Sequence, residues 1–378
     1  MTNSKKIYIP LADPARELQH ITNFNKNFKK ELLSGNYIGG RFPLELEKNL
    51  SKFMKKKYIV TLNSGTDALS CALYALGVGK GDEVILPSFT FVATAEAVIN
   101  IGATPVFADV EISNQCISLE KIKPLITKKT KCIIPVHLYG NDADIQNISN
   151  FCKENDIYLV EDCAQSFGSK TKSNFLLGSF GDISAFSCYP SKTLGGIGDG
   201  GFIATDNENY FKKINIYKNH GQVKTYEHKI SGINSRMDSL NAFTLLNKLK
   251  IFEESKKTRN EFVDFYDSIF NNYTKVKTNL KHSGTLFNYY TIQLPTAKRS
   301  LFQKIMNKNN IVTSIFYRKP LHKQYALKNY GYKHFDLNNT EYLSKRVVSL
   351  PLFAYLKKFE KDHLEKTIIN TLDEIKII

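Results

Sequence analysis

None of the six cysteines, at positions 71, 116, 132, 152, 163 and 188, pairs with another at Cys-x-x-Cys spacing, and none has a histidine at metal-ligand spacing. That absence removes the usual zinc patterns, so no metal is expected. Isolated cysteines among apolar neighbours read as small reduced packing residues, which fits a cytoplasmic protein. No apolar run approaches about 18 residues, so no segment is expected to span a membrane. The start, Met1-Thr2-Asn3-Ser4-Lys5-Lys6, lacks the apolar stretch and small-residue cleavage site of a secretory signal. Internal repeats and low-complexity linkers are missing too. Acidic residues are in deficit: 52 Lys+Arg against 36 Asp+Glu leave a formal charge of +16. The lysines are scattered, with no basic arm and no dense arginine cluster. The excess therefore reads as solvated faces rather than a nucleic-acid surface, and as a field that attracts an anionic small substrate.

What is present is a core-forming chain of 378 residues, 42% hydrophobic, long enough for two domains. From about residue 58 to 206 short β-branched runs alternate with helix-length amphipathic segments. Strands are predicted at 58–62, 83–86, 105–109, 132–136, 157–160, 183–187 and 202–205, and helices at 66–76, 93–101, 119–126 and 144–154. Near-continuous apolar strands alternating with helices imply an α/β fold with a mostly parallel sheet covered on both faces. Ligands of such sheets bind beyond the carboxyl ends of the strands, where Ser64, Asp162 and Ser187 fall. Near Met237 the texture changes to long helical segments as far as Phe270. After these come a strand at 289–294, a helix at 300–308, an extended run at 311–316 and a helical tail at 358–375. The expected division is a large domain over 1–250 and a smaller α/β domain over 251–378, packed closely together.

Lys192 follows the 183–187 strand in Ser187-Cys188-Tyr189-Pro190-Ser191-Lys192-Thr193-Leu194-Gly195-Gly196, and Glu161-Asp162 closes a neighbouring apolar run. A lysine and an aspartate at the ends of adjacent strands are what pyridoxal phosphate requires. The amine bonds to the cofactor, and the carboxylate keeps the ring nitrogen protonated so that the ring withdraws electrons. A helix-capping role for Asp162 stands beside that reading. Asn63-Ser64-Gly65-Thr66 joins a strand to a helix and is either a phosphate cradle or only a capped turn. Ser187 could add a hydroxyl to the same phosphate. Phe91 either fills the core or lies flat on a cofactor ring, and Gln165 is placed to hydrogen-bond a phenolic oxygen. Gly195-Gly196-Ile197-Gly198-Asp199-Gly200-Gly201 precedes a strand and lacks the G-x-G-x-x-G order, so it is a tight turn past a ligand rather than a dinucleotide fingerprint.

Taken in order, these segments resemble the DegT/DnrJ/EryC1/StrS family of sugar aminotransferases. His220-Gly221, Gly232-Ile233-Asn234-Ser235-Arg236-Met237-Asp238, Pro320-Leu321-His322 and Ser349-Leu350-Pro351 extend the match over nearly the whole chain. The resemblance implies a fold-type-I (aspartate aminotransferase-like) homodimer with pyridoxal 5'-phosphate at the subunit interface. It makes Lys192 the catalytic, cofactor-linked lysine and Asp162 the partner of the ring nitrogen. Gly65, Thr66 and Ser187 would hold the phosphate, joined by Asn234 from the second subunit, whose Arg236 would face the sugar nucleotide. Tyr317 and His322 would be sugar-side residues; otherwise they are a surface aromatic and a loop histidine. The substrates implied are L-glutamate and a nucleotide-linked keto sugar, used in surface polysaccharide or glycan synthesis. Tyr189-Pro190-Ser191-Lys192-Thr193-Leu194-Gly195 is similar to members aminating at C3, and Ser88–Glu96 with His220-Gly221-Gln222 to the group acting on UDP-2-acetamido-3-keto-glucuronate. Amination at C4, or a non-catalytic regulator on the same fold, is the alternative. Ile315-Phe316-Tyr317-Arg318-Lys319 departs from the family's usual His-Tyr-Pro form.

Overall fold

A computed structural model describes residues 7–328, 333–334 and 336–377; the Met1–Lys6 stretch lies outside them. The chain enters through a 3-10 turn, Arg16–His20, and two helices, α1 (Phe24–Leu33) and α2 (Arg41–Met54), which the sequence pattern did not single out. Helix α2 buries Phe42, Leu46, Leu50 and Met54 at every fourth position, a stripe that seals one side of the sheet.

Strands and helices then alternate: β1 (Tyr58–Leu62), α3 (Gly65–Ala75), β2 (Glu83–Pro87), α4 (Val92–Asn100), β3 (Thr104–Ala108), α5 (Leu119–Ile122), β4 (Thr130–Ile133), α6 (Ile145–Glu154), β5 (Tyr158–Asp162), β6 (Ile183–Ser187), β7 (Gly201–Thr205) and α7 (Glu208–Tyr217). A hairpin follows, β8 (Gln222–Lys224) and β9 (Glu227–His228), and then α8 (Ser239–Lys250) and α9 (Phe252–Phe270). The remainder is β10 (Lys277–Thr278), β11 (Tyr290–Gln293), α10 (Thr296–Lys308), β12 (Lys333–His334), α11 (Asn338–Ser344), β13 (Val347–Leu350) and α12 (Lys358–Glu374).

The large sheet runs β1-β7-β6-β5-β4-β2-β3-β12. Among the described residues only β7 is antiparallel, paired on both sides with strands of opposite direction. Burial on both faces explains the unbroken apolar runs of its strands. Two predicted elements end well before their expected last residue because of a proline. Strand β4 stops at Ile133 because Pro135 has no N–H for the ladder; its carbonyl still accepts the Asp162 N–H at 3.0 Å. Helix α5 stops at Ile122, and Pro124 lies in the 3-10 turn Lys123–Leu125 that follows.

The smaller part is an antiparallel sheet, β10-β11-β13, packed with α9, α10 and α12 around Phe262, Tyr266, Ile292, Phe302, Leu364 and Ile368. The expected division at residue 250 falls between α8 and α9, and the cores cross it in both directions. Ile9 is buried in the small core, its N–H on Asn310 O at 2.9 Å and its carbonyl accepting from Val312 N–H at 3.0 Å. Leu321, Leu327 and Leu337 return to the large core, and β12 pairs with β3.

One ion pair fastens the entering segment. Arg16 makes two parallel bonds to Glu360, at 2.7 and 2.8 Å, and stacks 4.6 Å over the Phe353 ring. Burial alone would push the Glu360 carboxyl up, but the Arg16 bond and the Lys357 N–H outweigh it and hold it below the ordinary value. Because the folded value is depressed, this contribution is fully present above the unfolded carboxylate range and lost as pH falls through the folded value. Arg16→Ala should lower unfolding stability by about 3 kcal/mol, since it strands a largely buried carboxylate. Urea unfolding at pH 7 and pH 4 checks this, with the smaller deficit expected at pH 4.

Candidate active site

At the carboxyl edge of the sheet, where β1, β2, β5 and β6 end and β7 begins, lies a cavity of about 470 Å³. Its wall includes Gly65, Thr66, Asp162, Ser187 and Lys192 from the part of the chain before residue 250, with Tyr289, Phe316 and Tyr317 from beyond it. Lys192 sits in the loop between β6 and β7. Asn241 of α8 fixes that loop, accepting from Ile197 N–H at 3.0 Å and donating to Asp199 O at 2.8 Å. A side chain on Gly196 would run into the Asn241 carboxamide, so the glycine gives the clamp its close approach.

Strand alternation divides the two carboxylates of Glu161-Asp162. Glu161 faces the interior and accepts from the N–H groups of Gly178, Phe180 and Gly181 at 2.7–2.8 Å, and from Ser184 Oγ at 3.2 Å. His137 completes the set. Its Nδ1 accepts from Ala143 N–H at 3.2 Å, which puts the ring proton on Nε2, 3.1 Å from Glu161. Burial would raise the Glu161 carboxyl, but His137 and the backbone donors win and hold it low. Although His137, Glu161 and Cys163 lie within metal-ligand distance of one another, the carboxylate is already saturated by donors.

Asp162 faces the cavity instead. It accepts from Thr94 Oγ1 at 2.9 Å and Ala164 N–H at 3.1 Å, and it begins no helix. Burial pushes its carboxyl up, against those bonds and the charge of Lys192. Burial likewise pushes the Lys192 amine down to about 8, opposed by Asp162. The two groups thus support each other's charged forms in a site that disfavours either alone.

The far end of the cavity suits an anion. Ser64 caps α3 by accepting from Asp67 N–H at 3.1 Å, and the Gly65 and Thr66 N–H groups, which lack intrahelical acceptors, lie on the cavity wall. A Cβ on Gly65 would stand 2.8 Å from Ser187 Cβ, so only glycine lets the helix start meet the end of β6. Lysine, buried carboxylate and helix terminus form a donor set that fits pyridoxal phosphate.

Phe91 caps α4 at the rim, 55% exposed, with its ring centroid 6.1 Å from that of Tyr317. Gln165 accepts from Tyr139 N–H at 2.9 Å and donates to Tyr317 Oη at 3.0 Å. Asn234 and Arg236 line a second cavity, about 830 Å³, that shares Asp199 with the first. His322 is not brought to either. Its buried ring lies 2.7 Å from Ser88 Oγ and 3.3 Å from Glu341, pinning the 3-10 turn Leu321–Lys323 to the end of β2. It is therefore neither an exposed loop residue nor part of the cavity wall. Thr94, Asn241 and Tyr289 were missed in the sequence: each acts through a partner more than 40 positions away, and no local signal marks them.

Because Asp162 raises the Lys192 value, Asp162→Asn should move the amine of cofactor-free protein from about 8 to lower pH. The pH dependence of ¹³C-methylated Lys192 by NMR checks the sign; an upward move would contradict the pairing.

With this geometry in place, comparison with known proteins is informative. The profile of the DegT/DnrJ/EryC1/StrS aminotransferase family matches residues 19–369. A Geobacillus stearothermophilus relative named as a pleiotropic regulatory protein is 32% identical, over 95% of this chain and 97% of its own. The UDP-2-acetamido-2-deoxy-3-oxo-D-glucuronate aminotransferase of Pseudomonas aeruginosa is 36% identical, over 87% of this chain and 90% of its own. Bacillus subtilis NtdA, solved with bound cofactor PMP, superposes with a TM-score of 0.87 at 29% identity, over 99% of this chain and 87% of that one. The matched residues span the large sheet, the lysine loop and the helix-capped cavity, and the chain belongs to the DegT/DnrJ/EryC1/StrS aminotransferase family.

Proposed function

We propose that this chain moves an amino group from L-glutamate to C3 of a UDP-linked 2-acetamido-3-keto sugar. The observation that carries the reading is the facing of Lys192 and Asp162 across one wall of a cavity whose other end is a helix N-terminus. Pyridoxal phosphate, when bound, supplies an electron-withdrawing ring that takes up the electron pair left on carbon after a proton departs. Asp162, with Thr94 fixing its carboxylate, would hold the positive charge on the ring nitrogen. Gly65, Thr66 and Ser187 would hold the phosphate. Lys192 Nζ would take the Cα proton of glutamate in one half-cycle and deliver a proton to the sugar carbon in the other. In the cofactor-free protein the amine is pushed down to about 8, which leaves near neutral pH a usable fraction of the neutral form, the form that must accept a proton at the start of each half-cycle. The C3 assignment rests on the sequence around Lys192 and on the likeness to the P. aeruginosa 3-oxo-glucuronate enzyme.

The second cavity supports a homodimer with shared sites. Exposed apolar side chains border it, Leu32, Tyr37, Ile38 and Ile197 among them, beside Asn234 and Arg236. Asn234 would reach the partner's phosphate and Arg236 its sugar nucleotide. A cytoplasmic setting agrees with six buried free thiols, and surface glycan synthesis, lipopolysaccharide included, is the destination that the substrate class suggests. A ligand-binding regulator is the second reading, favoured by the name of the G. stearothermophilus relative.

Glutamate added to the yellow cofactor-loaded protein should bleach it. UDP- and dTDP-linked 3-keto and 4-keto sugars, assayed with glutamate by mass spectrometry, should give a 3-amino product from the UDP-2-acetamido-3-keto compound. Lys192→Ala should reduce turnover by about 10³-fold or more. Full turnover in that variant would remove Lys192 from the mechanism, and no turnover with any sugar by the intact protein would favour the regulator.

A further inference from the structure

Two phenols bring more protons to the cavity than the protein uses. Tyr289 Oη and Ser191 Oγ lie 3.2 Å apart, and either can be the donor. Two hydroxyls carry two protons, and one bond consumes one of them. No other partner of either hydroxyl is found among the described residues. Tyr317 is in the same position. Its oxygen accepts from Gln165 Nε2, whose carboxamide oxygen is already taken by Tyr139 N–H, so the Tyr317 proton has no acceptor among the described residues. Both phenols line the cavity beside Lys192. Burial, and then the neighbouring Tyr289, push Tyr317 well above the ordinary phenol value, which keeps it a donor.

We propose that Tyr289, oriented by Ser191, works with Tyr317 to read the polar groups flanking the carbon that is aminated, a hydroxyl on one side and an acetamido group on the other. The inference rests on the keto-sugar aminotransferase reading above. The chemistry of the donors selects the substrate. A carboxylate is matched best by a guanidinium, and among the described residues the wall around Lys192 in one protomer contains none. Neutral hydroxyls, which both donate and accept, match a polyhydroxylated ring. Position supports the same choice. Ser191 directly precedes Lys192 in the large domain, whereas Tyr289 leads into β11 of the small one. Their bond therefore sets a sugar-reading hydroxyl beside the reacting amine. The ring is held independently of its hydroxyl, with its centroid 4.5 Å from that of Phe316.

Tyr289→Phe deletes one oxygen and leaves that packing in place. With UDP-2-acetamido-3-keto-glucuronate as the probe, kcat/KM of the sugar half-reaction should fall about tenfold, the effect of one hydrogen bond. Bleaching by glutamate should fall by a clearly smaller factor. Ser191→Ala should act in the same direction more weakly. A sugar analogue lacking the hydroxyl that is read should react with wild type as poorly as the true sugar reacts with the Phe variant, and combining the two should cost nothing further. Equal losses in both half-reactions would place Tyr289 in the service of Lys192 and overturn the proposal, as would no loss in either. A wild-type protein inert to glutamate would overturn both this proposal and the reading beneath it. Thermal melting of each variant verifies the fold.

Discussion

An amine and a carboxylate that face one another away from water set the terms for everything around them. Neither Lys192 nor Asp162 is comfortable charged by itself at that depth, and each moves toward neutrality when the other is taken away. Holding such a pair needs rigid ground. Asp162 gets it from the last position of a buried central strand and from Thr94. Lys192 gets it from a glycine-rich loop that cannot relax because Asn241 grips it at two places. The parallel sheet is the device that brings these ends to one edge.

The adjacent carboxylates of Glu161-Asp162 show how one strand can serve structure and chemistry at once. Two identical functional groups, one residue apart, receive opposite environments because successive side chains leave a strand on opposite faces. Glu161 meets three backbone N–H groups, a serine and a histidine, and becomes a fixed anion that organises the 178–181 turn. Asp162 meets two donors and an open cavity, which leaves it able to respond to a ligand. Composition could not tell them apart; position on the pleat does.

Local patterns carried the sequence reading a long way and then stopped where contact becomes long-range. The strands at 58–62 and 183–187 were legible to the residue, since buried β-branched runs bounded by turn residues have few other uses. The Gly65 and Lys192 segments were legible because glycine and a lone lysine at a strand end are chemically distinctive. Helices α1 and α2 were obscured by dense lysine and asparagine, which hide the apolar stripe of Phe42, Leu46, Leu50 and Met54. Asn241 and Tyr289 could not be found at all: an asparagine in a helix and a tyrosine before a strand acquire meaning only from what the fold places opposite them. The placement of His322 depends on contacts of the same long-range kind. Its ring bonds Ser88, which lies 234 positions away, and Glu341.

The seat of Ile9 among side chains from residues 262 to 377 has a bearing on biogenesis. Ile9 cannot reach its resting place until residues as far as 377 have been synthesised, so this part of the fold closes late, when most strands of the large sheet are already available to pair.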